Sequence, residues 1–198
     1  MIQTQTQART LVLLALLLAA SGFYANAQTR DHLTPQEVDL IKDAQALDLR
    51  TSIFIKAAER RMALVTGTAA STSTNSKQAK KDAELWGDAP KGTRAELIGD
   101  VAKILDEAIT NIDDVSMHDE KSPLLPKALR KLAASATQII DQLTPLRSQA
   151  KSEEEISNME QAVENAQSII EAAKKLPPPA TEKEKKEKSK SGTPKEKP

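Results

Sequence analysis

The residues best suited to chemistry lie in an acidic stretch around His118. Asp119 follows this histidine directly, and Asp114 precedes it by four residues, which is one helical turn. Imidazole nitrogens and carboxylate oxygens bind divalent cations. Carboxylates near a helix C-terminus are unfavourable against the helix dipole unless a cation or a basic side chain lies close by. The D-x-D-x-D-G pattern of a calcium loop is missing, however. His118, Asp119 and Asp114 are therefore weak candidate metal ligands, and a solvated acidic turn is the alternative.

Catalytic signatures are missing from the rest of the chain. Without cysteine there is no thiolate zinc site, iron–sulfur cluster or thiol nucleophile. The sequence contains no Glu-x-x-His pair for a di-iron bundle, no Gly-x-Ser-x-Gly elbow, no His-Glu-x-x-His and no glycine-rich phosphate loop. Nothing supplies a nucleophile, a base and an oxyanion site together. We predict that the protein is not an enzyme and has no cofactor.

Charge and aromatic content limit the classes of molecule that the protein is expected to bind. The chain has 28 Lys and Arg against 28 Asp and Glu, and a nucleic-acid-binding protein needs an excess of basic residues. Its four aromatic residues are Phe23, Tyr24, Phe54 and Trp86, too few for a surface that stacks sugars or bases. The first helix also carries basic residues beside Asp48 and Glu59, and we expect them on a salt-bridged solvent face; they are Arg50, Lys56, Arg60 and Arg61. We predict no nucleic-acid partner.

Helix-start signals and apolar spacing predict the elements that hold these residues. Capping boxes begin at Thr34, Thr93 and Ser152, each with Glu three residues later, and Ser122-Pro123 begins a further helix. Apolar residues then repeat every three or four positions, and no segment alternates as a strand does. Pro145 should kink or break the third long helix near Leu143. The predicted helices span about 35–65, 93–115, 123–150 and 152–175, with a short piece at 77–86.

These elements predict an all-α fold. We expect an antiparallel helical bundle of about four long helices plus one short helix, with coiled-coil-like seams, in a single domain over residues 28–176. Residues 66–76 read as a mobile loop. Residues 177–198 read as a disordered tail rich in Pro, Lys and Glu, with seven Lys and four Glu after Ala180.

The N-terminal 27 residues read as a secretory signal peptide. Arg9 precedes the apolar run at 11–20, which is too short to cross a bilayer, and Ala25-Asn26-Ala27 fits a cleavage site. We expect an exported protein, periplasmic or extracellular and bacterial, without a transmembrane anchor after cleavage. Its expected role is non-enzymatic, through a protein partner or a second copy at helix seams, or through weak envelope contact of the Lys-rich tail. The alternative is a small-ligand or metal-binding bundle that uses the acidic His118 turn.

Overall fold

The helices of the computed structural model begin and end close to the predicted signals. Residues 31–68, 81 and 83–178 are described, and within them no strand occurs. The chain is an all-α helical bundle. Its elements are α1 (Pro35–Asp43), α2 (Leu47–Val65), α3 (Arg94–His118), α4 (Leu124–Leu143), a 3-10 helix (Thr144–Gln149) and α5 (Glu153–Lys174).

Helix starts depend on side-chain caps, and two of the three capping boxes are confirmed. Thr34 and Glu37 cap α1 reciprocally, as do Thr93 and Glu96 at α3. At α5, Ser152 accepts a hydrogen bond from the backbone N–H of Glu155, at 3.1 Å. The Glu155 carboxylate instead accepts from the N–H of Lys151, at 3.1 Å, so this box is only half formed.

The predicted helix over 35–65 is interrupted, and this is the main departure from the expected elements. Ala44 and Ala46 have extended backbone between α1 and α2. A continuous helix would separate Glu37 from Arg61 by about 36 Å at 1.5 Å per residue. The break lets α1 fold back along α2, so that Glu37 reaches Arg61 directly. The later break is confirmed, since α4 ends at Leu143 and Pro145 lies in the 3-10 helix.

The core is built from the predicted helix stripes. On α4 the whole stripe from Leu125 to Leu143 is buried, and it meets buried residues of α2, α3 and α5. Alanine takes many central positions, which lets helix backbones approach closely. The fully or nearly fully buried apolar residues include Phe54, Ala57, Ala58, Ile98, Val101, Ile104, Leu105, Leu132, Ala136, Ile139, Ala162, Ala166 and Ile169.

The four long helices form a ring in the order α2, α3, α5, α4, since each of these neighbours packs on the next. Lys127 and Lys131 of α4 bond to Asp48 and Ser52 of α2, so the contacts advance together along both helices. Neighbours α2 and α4 are therefore parallel. Helices that follow each other in the chain still run antiparallel. Neighbours in the ring can be parallel because the α3–α4 connection crosses the diagonal of the ring.

The α3–α5 interface shows the same parallel register. The side-chain amides of Asn158 and Asn165 donate to the carbonyls of Ala95 and Ala102, each at 2.9 Å. Both pairs are one heptad apart, so each helix advances by the same amount. Gly99 lies between them, where an added Cβ would come within 2.9 Å of the Asn158 amide nitrogen.

Several predictions fall outside the described residues. These are the signal peptide at 1–27, most of the loop at 66–76, much of the short helix at 77–86, of which residues 83–86 are helical, and the tail beyond Pro178. Across the described ranges, no helix combines the length and apolar character needed to cross a membrane.

Candidate functional site

A buried carboxylate, Glu37, is the centre of the most highly connected group of charges described in the molecule. Its side chain is 0% exposed. Arg61 donates from Nη1 to Glu37 Oε1 at 2.8 Å and from Nη2 to Oε2 at 2.7 Å. Arg60 donates from Nη1 to the same Oε1 at 2.7 Å, and the Thr34 N–H donates to Oε2 at 2.9 Å. Four donors therefore converge on two oxygens.

Arg61 of α2 joins this carboxylate to the core of the bundle. Its side chain is only 1% exposed, and its Nε lies 3.6 Å from Oδ2 of the buried Asp100 on α3. Its terminal nitrogens also donate to the Ala57 carbonyl at 2.8 Å and to the His32 carbonyl at 2.6 Å. Glu37, Arg60, Arg61 and Asp100 form what we call the Glu37 cluster, in which two positive and two negative charges balance.

Arg60 extends the cluster to the turn before α3. Its Nη2 donates to the carbonyls of Asp88 at 2.7 Å and Gly87 at 3.3 Å. Its guanidinium lies 5.6 Å from the centre of the Trp86 ring, within range of a cation–π interaction. Trp86 is the last of the helical residues 83–86, so this contact links that helical piece to α2.

The chemistry open to Glu37 follows from these bonds. Burial raises the pKa of its carboxyl, but hydrogen bonds and charge from Arg61, the Thr34 N–H and Arg60 outweigh that effect and lower the pKa overall. A carboxylate offers about four lone-pair sites, and all four are used. In this arrangement Glu37 has no lone pair left for a substrate proton or a metal ion. The bonds of the cluster instead hold α1, α2 and α3 to each other.

The expectation that Arg60 and Arg61 lie on a solvent face is wrong for Arg61. A signal for its burial was present, because position 61 is three residues after Ala58 and seven after Phe54, on the predicted core stripe. Long-range charge pairing, rather than solvent, compensates the burial.

The candidate metal ligands come together only in part. His118 Nδ1 lies 2.7 Å from the Asp114 carbonyl and 3.5 Å from Asp114 Oδ1, and the His118 side chain is 76% exposed. Asp119 is the C-cap of α3, and its N–H bonds to the Val115 carbonyl. In the described ranges no three His, Asp or Glu side chains converge as metal ligands would.

A groove of about 230 Å³ runs between the end of α4 and α5. Buried or half-buried apolar side chains of Leu143, Met159 and Val163 form its floor. Charged and amide side chains form its rim, and Arg147 donates to Glu160 there at 2.5 Å. The rim residues are Thr144, Arg147, Glu160, Glu164 and Gln167.

The groove shares no residue with the Glu37 cluster. The seams predicted on α4 and α5 are largely covered within the bundle, and Leu143, Met159 and Val163 of these seams line the groove. Comparison with protein-family models, curated proteins and solved structures finds no match to this chain.

Proposed function

We propose that this is an exported, non-enzymatic helical-bundle protein that acts through contacts with a protein partner or with the cell envelope. The α4–α5 groove supports this proposal most directly, because apolar side chains line it between two helices of the bundle. The signal-peptide pattern of residues 1–27 supports a location of these contacts in the periplasm or outside the cell.

The Glu37 cluster supports the non-enzymatic part of the proposal. Its carboxylate is fully bonded within the protein, and its arginines bind other chain segments. A catalytic base needs a free lone pair and a pKa near the working pH, and Glu37 has neither. The cluster is better explained as the support that holds α1 and the Trp86 turn on the bundle.

Photo-cross-linking in intact cells tests the contact surface. The full precursor carries a photoreactive residue at Gln167, on the groove rim, or at Lys103, on the exposed face of α3, as the matched control. The expected result is an adduct from position 167 and none from position 103. Equal labelling at both positions, or none at either, would contradict the proposed surface.

Export has its own measurement in the same cells. We expect the protein in the periplasmic or culture fraction with Gln28 as its first residue. An intact N-terminus on protein confined to the cytoplasm would overturn the exported part of the proposal.

A further inference from the structure

Helix α5 carries a second apolar stripe at the edge of the core, and its half-buried members also pack against the core. Ile156, Val163 and Ile170 are seven residues apart, and this spacing keeps them on one line along the helix. Ile156 is 37% exposed, and the other two are half-buried. The core-facing residues of the same helix lie on a different line, through Met159 and Ala166. Val163, the midpoint of the outer stripe, lies in the floor of the α4–α5 groove.

A line of polar residues flanks this stripe with the same seven-residue spacing. It reads Glu153, Glu160, Gln167 and Lys174, and all four residues are exposed. The line is negative near the start of α5 and positive at its end. The helix dipole favours that order by itself, so the charges identify a partner only together with the apolar stripe.

We propose that a second copy of this chain docks along α5 in the antiparallel direction, with the twofold axis beside Val163. This arrangement sets Ile156 against Ile170 of the second copy, and Glu153 against Lys174 of the second copy. A parallel arrangement would set glutamates against glutamates instead, which is unfavourable. Because the interface is twofold, every such contact occurs twice.

The ion pairs at the rim do not oppose this docking. Glu160 is paired with Arg147, and Lys174 with Glu171 at 2.6 Å, and all four side chains are more than half exposed. Exposed ion pairs contribute little to stability, so their partners exchange at small cost. The inference rests on the proposed contact function and assigns its partner.

Charge reversal provides the test, with the mature chain 28–198 measured by light scattering over a range of concentrations. We expect a dimer that Val163→Glu converts to monomer. Glu153→Lys and Lys174→Glu should each raise the dimer Kd by roughly tenfold, and the double variant should restore it. Glu154→Lys is the matched control, because it changes the same charge in the same helical turn but off the polar line. Circular dichroism checks that each variant is folded.

Two results would overturn the dimer. One is a monomer at every concentration, and the other is a double variant no tighter than the single reversals. If the chain is monomeric and position 167 still cross-links to a different protein, the dimer is refuted while the proposed contact function stands. A monomer without any adduct from position 167 refutes both.

Discussion

Replacing Glu37 by Gln changes one charge in a buried cluster and keeps the side-chain shape. The glutamate oxygens accept four bonds, from Arg60, Arg61 and the Thr34 N–H. A glutamine has one carbonyl oxygen, and its NH₂ group would face donors. Removing one member of a buried ion pair costs about 3–5 kcal/mol. Arg61 keeps Asp100 nearby and Arg60 is partly exposed, so we expect a loss of about 3 kcal/mol, near the lower limit.

Glu96→Gln is the matched control, because Glu96 occupies the same capping-box position on α3, where it is only half-buried. Its expected cost is about 0.5 kcal/mol, from a weakened cap and a weaker interaction with the helix dipole. Urea unfolding of residues 28–198, followed by far-ultraviolet circular dichroism, gives both free energies. The corresponding fall in Tm is roughly 6–12 °C for Glu37→Gln. Fluorescence of Trp86, the only tryptophan, reports the cluster directly.

Two outcomes would refute this reasoning. In the first, Glu37→Gln and Glu96→Gln differ by less than about 1 kcal/mol, which would mean that the buried charge is not compensated by the pairing described. The second concerns Arg61→Met, which should cost at least as much as Glu37→Gln. The double variant should then lose less than the two single losses together, by about 1 kcal/mol or more, and strict additivity would contradict the pairing.

Three further predictions follow from the described contacts. Folding lowers the pKa of Glu37 from its usual 4.5, so the stability that this carboxylate contributes is present above pH 4.5 and is lost as the pH falls through the lowered pKa. The urea midpoint of Glu37→Gln should therefore drop less on acidification than that of the parent protein. Gly99→Ala should fail to give the roughly 0.5–1 kcal/mol gain expected in a helix, yet should give it when Asn158 is already alanine; a full gain in the parent, by urea unfolding, would refute the close approach. Calorimetry with zinc and calcium should give no binding heat, since the described residues contain no group of three His, Asp or Glu side chains that could hold a metal ion; heat that His118→Ala abolishes would instead establish the metal site.

Local signals in the sequence predicted most of the helices. The Thr34 and Thr93 capping boxes and Pro145 act through contacts a few residues away, so the residues themselves specify the outcome. The interruption at Ala44–Ala46 was missed for the opposite reason. Apolar spacing continues through it, and what favours the break is a charge pair between residues 24 positions apart. No local pattern contains that pairing.

The candidate site was harder to predict from the sequence than the fold was. Arg61 on an apolar stripe was the available signal for a buried charge, but its partner Glu37 lies on another helix. The parallel neighbours were also unpredicted, because a stripe shows which face is buried and not which helix covers it. Asn158 and Asn165 are seven residues apart, as are Ala95 and Ala102, but the sequence alone does not show that these residues bond to each other.

The ring order has a consequence for how the chain is joined. The bundle consists of two helical hairpins, one containing α2 and α3 and the other containing α4 and α5, and residues 119–123 connect them. The hairpins meet along two parallel interfaces, and side-chain bonds between helices set the register of each. Lys127 and Lys131 bond to α2 in one interface, and Asn158 and Asn165 bond to α3 in the other. Fragments cut within 119–123 would keep those recognition surfaces whole and should reassemble by complementation. In energetic terms the domain is a tethered heterodimer, and its short tether contributes effective concentration rather than contacts.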